Sequence, residues 1–231
     1  MLAALLPASV HAVEVFDDPP EARLLPEEEA YVARAVEARR REFTTGRHCA
    51  RVALRSLGVA PTAIARGDLG APCWPEGVVG SITHCAGYRA AAVARVADLV
   101  TIGIDAEPNE PLPGKVLDIV ALPPERAMVA ALAGAMPDVA WDRLLFSAKE
   151  SVYKAWAPLT GTFLDFDGAN IAFDPAAGTF IARLRKPGAS LAGAARGEFA
   201  GRFVVRDGLA VTAVAGLAAW PETATHNAVQ R

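Results

Sequence analysis

Two rhythms of apolar and polar residues divide this chain: a helical spacing in some stretches and strict alternation in others. Pro26 followed by Glu27, Glu28 and Glu29 marks a helix start, with proline in the first turn and acids facing the positive end of the dipole. The helical character runs through Arg41, loosens at residues 44–46, and resumes to Leu57, where Gly58 ends it. Residues 67–77 read as a loop punctuated by Gly70, Pro72, Pro75 and Gly77. Strands are predicted at 78–83, 90–96 and 101–104. Pro108, Pro111, Pro113 and Gly114 then break the pattern and mark a junction between residues 1–108 and 109–231. Helices follow at 124–133 and 139–156, then strands at 170–173, 179–184, 198–206 and 209–217, the last two joined by an Asp207-Gly208 hairpin turn. The tail after Trp220 is polar and reads as a frayed end. No internal repeat is visible in the residues, and the order of elements predicts an α+β fold with mostly antiparallel sheets.

Composition narrows the function classes. The 231 residues are 52% hydrophobic and 21% charged, enough for one large domain or two small ones packed together. A net charge of −3 gives no reason to expect nucleic acid or an acidic membrane as partner. Cys49, Cys73 and Cys85 are odd in number and form no CxxC, which argues against a disulfide framework or zinc site and for a reducing, cytoplasmic compartment. The opening residues lack the positive flank of a signal peptide, and Pro7 interrupts their apolar run, so they are expected to be a native segment forming an edge strand. No apolar run approaches the roughly 20 residues of a membrane span.

Four constellations carry candidate chemistry. In Gly103-Ile104-Asp105-Ala106-Glu107, strand alternation puts both carboxylates on one face. Side by side they repel unless a cation lies between them, and hard oxygen ligands suit Mg²⁺; a solvated strand end has the same spacing. In the run 146–156, FSAKESVYKAW, Glu150 and Lys154 are i and i+4 neighbours. That spacing also describes an ordinary surface ion pair, but Leu144, Leu145, Phe146, Tyr153 and Trp156 leave little of the helix polar. Glu150 is therefore a candidate metal ligand or general base, and Lys154 a candidate phosphate partner. Third, seven arginines and two glutamates lie between Arg34 and Arg55, with Arg47, Arg51 and Arg55 forming a ridge at i, i+4 and i+8. Arginine forks suit phosphate, although about half of these residues are expected to be plain surface. Fourth, His84, just past a predicted strand end beside Thr83, is placed for a cationic or hydrogen-bonding role.

Together and in this order the motifs resemble the Sfp-type 4′-phosphopantetheinyl transferases, most closely the branch of the enterobactin-synthetase transferase and its actinobacterial relatives. GIDAE and FSAKESVYKAW, about forty residues apart, carry the likeness, and WPEGVVGSITH sharpens the branch. The resemblance runs from about Leu5 to about Leu217. It implies a pseudodimer of two similar α+β halves with coenzyme A in the cleft between them. It implies Mg²⁺ on Asp105, Glu107 and Glu150, and coenzyme A contacts from His84, Arg39, Arg47 and Arg66, with Arg40 or Arg41 able to replace Arg39. Thr83 stands where many members have serine, Lys149 and Lys154 match two family lysines, and Ala71 replaces a lysine of some relatives. Tyr153 and Phe146 would border the pantetheine arm.

The activity so implied is transfer of phosphopantetheine to a serine of an acyl, peptidyl or aryl carrier protein, with release of 3′,5′-ADP. Glu150 would take the serine proton and Lys154 would serve the leaving group. A carrier would dock near the prolines after Glu107 and on residues 117–126, and the protein would act as a monomer. Fatty-acid, polyketide and non-ribosomal-peptide carriers all fit, with a bias toward secondary metabolism or siderophores. Two other readings use the same groups: an Mg²⁺-dependent phosphohydrolase of coenzyme A or a nucleotide diphosphate, and a binding module without turnover.

Overall fold

The computed structural model describes residues 1–185 and 197–217; the predicted tail after Trp220 lies outside them. The fold is α+β, built on two antiparallel sheets. Strands β1 (His11–Val15), β2 (Val78–Cys85) and β3 (Tyr88–Arg95) form a sheet in the order β1-β3-β2. Strands β4 (Leu99–Pro108), β5 (Ala169–Asp174), β6 (Thr179–Leu184), β7 (Glu198–Arg206) and β8 (Leu209–Leu217) form a second, in the order β4-β8-β7-β6-β5. The helices are α1 (Pro26–Glu29), α2 (Glu37–Ser56), α3 (Val116–Val120), α4 (Pro123–Ala135) and α5 (Trp141–Thr160).

Three apolar layers follow from strand alternation. Ala91 and Val93 of β3 face Ala50, Ala53 and Leu54 of α2. The opposite face of β3, with Ala90, Ala92 and Ala94, meets Ile102 and Ile104 of β4 together with Leu2 and Leu5. On the far side of the larger sheet, Trp141, Leu144, Leu145 and Val152 of α5 pack on Ile171, Phe180 and Val214. The two sheets are tied by hydroxyls: Ser81 Oγ accepts from Ile104 N at 3.1 Å, and Thr83 Oγ1 accepts from Ala106 N at 3.1 Å. Backbone donors on that side of β4 are thereby satisfied without a continuous ladder.

Several boundaries differ from expectation. The predicted helix 26–57 breaks earlier, at residues 33–36, and continues unbroken where loosening was expected. Thr44 Oγ1 donates to Arg40 O at 2.8 Å within the helix and Thr45 Oγ1 to Asp18 at 2.7 Å outside it, so both hydroxyls are satisfied without breaking the helix. The helix end is as read: Gly58 (φ 74) follows it, with Val59 N donating to Leu54 O at 2.9 Å. The edge strand begins only at His11, and Leu2–Leu5 form a 3₁₀ turn instead. Strand β2 runs on to Cys85, so His84 lies inside it, and β4 runs through both Asp105 and Glu107. Helix α3 was not foreseen.

Two glutamates at helix starts, Glu28 in α1 and Glu125 in α4, are buried. Glu28 accepts from Leu25 N at 2.9 Å, Ile64 N at 2.9 Å and Arg51 at 2.8 Å. Glu125 accepts from Leu122 N at 2.7 Å and Ile171 N at 2.7 Å and pairs with Lys149 at 2.8 Å. Both carboxylates are fully enclosed, and only such partners make enclosure tolerable.

Gly103 sets the spacing of α5 on β4. A Cβ there would lie 1.9 Å from Ser151 O and 2.7 Å from Ala155 N, so no side chain fits. Gly103→Ala is expected to destabilise the fold by about 3 kcal/mol, the range of severe overpacking, in urea unfolding; an unchanged midpoint contradicts this packing.

Candidate active site

Because α5 approaches β4 so closely, its side chains reach the strand's acids. Asp105, 4% exposed, points to the α5 face and receives Lys154 Nζ at 2.6 Å on Oδ1. Thr83 donates to the same oxygen at 3.2 Å, while Asp105 Oδ2 is buried without a hydrogen-bond partner. Two residues on, Glu107 pairs with Arg143 Nη1 at 3.1 Å. Burial, and then the charge of Asp105, push the Glu107 carboxyl up to about 7, against the pull of Arg143 and Lys154. Glu150 is half-buried one turn before Lys154; burial raises its proton affinity, Lys154 opposes this, and Asp105 adds to it. The three acids thus form a connected electrostatic set. Among the described residues, however, no group of three or more His, Cys, Asp or Glu side chains stands close enough to hold a metal ion. Asp105 and Glu107 are instead turned onto Lys154 and Arg143.

Beside Lys154 opens a pocket of about 200 Å³ whose walls include Arg39, Arg47, Arg66, Thr83 and His84. Arg47 is buried, with its guanidinium 4.1 Å over the Phe43 ring and Nε donating to Ile64 O at 3.1 Å. Burial lowers its pKa to about 10, with further pressure from Arg39, Arg51 and Arg66, yet it remains charged at neutral pH. His84 accepts from Arg39 at Nε2 and has Glu42 Oε2 3.3 Å from Nδ1, which assigns the proton to Nδ1. Burial, and then Arg39, lower its pKa to about 4. It is a neutral hydrogen-bonding group here and not a cation.

The arginine ridge does not act as one surface. Arg51 turns inward to Glu28, and Arg55 is exposed and does not line the pocket, so Arg47 alone of the three reaches it. Of the triplet, only Arg39 lines the pocket, 3.5 Å from Glu42; Arg40 pairs with Glu29 and Arg41 lies 3.6 Å from Asp18. Thr83 lines the pocket, but its hydroxyl is committed to Asp105 and Ala106 N. Lys149 is not brought to the pocket: its ammonium is spent on Glu125, Phe166 O at 2.6 Å and Ala169 O at 3.1 Å. Those three acceptors use its three donors. A smaller cavity of about 60 Å³ lies between Glu150, Tyr153, Phe163, Leu164 and Phe166, with Lys149 in its wall. Tyr153 packs edge-on to Phe163, and Phe146 packs against Phe166. Sequence reasoning missed Glu42, which braces His84, and Arg143, which holds Glu107. The second carried a signal, since Arg143 and Glu150 are i and i+7 on one helical face.

Arginines crowded beside poised carboxylates are the equipment of an enzyme that moves a phosphorylated group. Comparison with known proteins agrees. Residues 27–94 match the 4′-phosphopantetheinyl transferase N-terminal domain and residues 101–205 the 4′-phosphopantetheinyl transferase superfamily. The chain is 57% identical over 218 residues to the 4′-phosphopantetheinyl transferase Svp of Streptomyces mobaraensis, covering 93% of this chain and 89% of that one. It is 47% identical over 223 residues to the transferase PptT of Mycobacterium tuberculosis, covering 93% and 97%. Enterobactin synthase component D of Salmonella typhi is 35% identical over 135 residues, covering 58% of this chain and 54% of its own. The chain belongs to the 4′-phosphopantetheinyl transferase superfamily, in the branch the motifs indicated.

The raised proton affinity of Glu107 has a definite sign. Between its ordinary value of 4.5 and about 7, the folded protein keeps a proton that the unfolded chain has lost. Its contribution to stability is full below the lower value and disappears as pH rises through the upper one. With a chelator present, wild type is expected to lose stability relative to Glu107→Gln between about pH 5 and 8 in urea titrations. Parallel pH profiles contradict this electrostatic assignment.

Proposed function

We propose that the protein transfers the 4′-phosphopantetheine group of coenzyme A to a serine hydroxyl of an apo carrier protein, with Mg²⁺, releasing 3′,5′-ADP. One observation carries the reading: Lys154 lines the arginine pocket and also touches Asp105, so the polyanion site and the acids are a single site. The chemistry of the donors fits a hard divalent ion. Asp105 Oδ2 is buried and unpartnered, and Asp105, Glu107 and Glu150 supply only carboxylate oxygen. These three residues would hold Mg²⁺, which supplies charge neutralisation at the diphosphate.

The chain's own groups do the rest. Arg39, Arg47 and Arg66 hold the 3′-phosphate of coenzyme A, with neutral His84 as a hydrogen-bonding neighbour braced by Glu42. The aromatic cavity beside Glu150 receives the pantetheine arm along Tyr153, with Phe146 behind Phe166. Glu150 takes the proton of the attacking serine, a role its raised proton affinity favours. Lys154 then meets the negative charge that develops on the departing diphosphate oxygen.

The two halves are read as a pseudodimer, 1–108 and 109–231, with coenzyme A between them. The matched buried glutamates support this: Glu28 and Glu125 each follow a Leu-Pro helix start and bind a cation on the next long helix. The carrier is an acyl, peptidyl or aryl carrier protein docking beside α3, where Ile119 is 74% exposed. The name of the enterobactin relative supports siderophore carriers among the substrates. Cys49, Cys73 and Cys85 are unpaired, which supports a cytoplasmic setting, and none of the described helices is long and apolar enough to cross a membrane. We read the protein as a monomer.

Glu150→Ala is expected to lower kcat for carrier modification by about 10²–10⁴-fold with an unchanged unfolding midpoint. Near-normal modification removes Glu150 from the reaction. Arg47→Ala is expected to weaken coenzyme A binding much more than dephospho-coenzyme A binding in calorimetric titrations. Equal losses for both ligands remove Arg47 from the 3′-phosphate site.

A further inference from the structure

Arg143 is half-buried in the first turn of α5, and all three of its guanidinium nitrogens donate to the end of β4 and the short segment that follows it. Nη1 donates to Glu107 Oε2 at 3.1 Å, Nε to Glu110 O at 3.0 Å, and Nη2 to Pro111 O at 3.1 Å. The neighbouring Asp142 fixes the same segment by accepting from Leu112 N at 2.9 Å. Asn109 completes the tie, donating to Asp138 O at 2.8 Å and accepting from Ala140 N at 2.8 Å. A surface ion pair needs one such bond. Three bonds from one planar fork determine both the rotamer of a carboxylate and the path of the chain beyond it.

We propose that Arg143 is a positioning residue for the divalent ion. It grips one oxygen of Glu107 and holds that carboxylate in place, leaving the other oxygen outside the clamp. The inference rests on the reading of Glu107 as an ion ligand. Carboxylates that bind metal are themselves oriented by hydrogen bonds, and losing such a partner costs about 10–100-fold in metal affinity. The same fork makes the segment 109–112 and Glu107 one mechanical unit, so displacement at Pro111 is felt at the carboxylate.

Mn²⁺, whose free fraction is read directly by electron paramagnetic resonance, tests this in protein saturated with coenzyme A. Arg143→Met is expected to weaken Mn²⁺ binding about 10–100-fold, while the unfolding midpoint and coenzyme A affinity without metal stay near wild type. Mn²⁺ affinity within about threefold of wild type overturns the assignment, being well below the loss expected of an orienting partner. Asp105→Asn separates this from failure of the metal reading. If Asp105→Asn loses Mn²⁺ while Arg143→Met keeps it, only the role of Arg143 falls. If Asp105→Asn binds Mn²⁺ like wild type, the metal reading falls and takes this inference with it. Should Arg143→Met not fold, Arg143→Lys carries the same test. Its ammonium keeps the charge but cannot span the carboxylate and both carbonyls, so Mn²⁺ binding is again expected to weaken, and wild-type affinity overturns the proposal.

Discussion

The close approach of α5 to β4 is the constraint on which the rest of the molecule depends. Gly103 removes the side chain that would keep them apart, and Thr101 Oγ1 fastens the contact by donating to Ala155 O at 2.7 Å. Only at that spacing does Lys154 reach Asp105 and Arg143 reach Glu107. The remaining face of β4, with Ile102, Ile104 and Ala106, is anchored in the apolar layer shared with β3. The strand that presents the acids is thus held on both sides.

Charge is buried here in compensated pairs. Glu28 with Arg51 and Glu125 with Lys149 are structural pairs, each satisfied by backbone donors as well. Removing one member of such a pair strands the other, at about 3–5 kcal/mol. The active site differs because its compensation is incomplete. Arg39, Arg47, Arg66 and Lys154 crowd one pocket, and burial, then the charge of cationic neighbours, depresses the proton affinity of Arg47 and His84. An incoming phosphate relieves that repulsion, which gives a polyanionic substrate a large electrostatic advantage over a neutral one.

The placement of the acids was more legible than the element boundaries. Alternation put Asp105 and Glu107 on one strand face, and the i, i+4 spacing put Glu150 and Lys154 on one helix face. The Asp207-Gly208 turn was readable because both residues sit in the left-handed region, at φ 54 and 75. Roles that depend on a remote partner were not readable. Arg51 looked like part of a phosphate ridge until Glu28 claimed it, and Lys149 looked like a site residue until Glu125 enclosed it. The break before α2 was hidden because Ala33, Arg34 and Ala35 are ordinary helix formers, while the fold needs Glu28 turned inward to reach Ile64.

The central claim is that one site passes a phosphopantetheine group from coenzyme A to a carrier serine. Intact-mass measurement on apo-carriers incubated with protein, coenzyme A and Mg²⁺, with 3′,5′-ADP quantified alongside, tests it most directly. The account predicts one phosphopantetheine per carrier molecule, matched one to one by 3′,5′-ADP, and neither product when the carrier is left out. Release of 3′,5′-ADP from coenzyme A without a carrier, or with the carrier mass unchanged, would contradict it and identify a hydrolase.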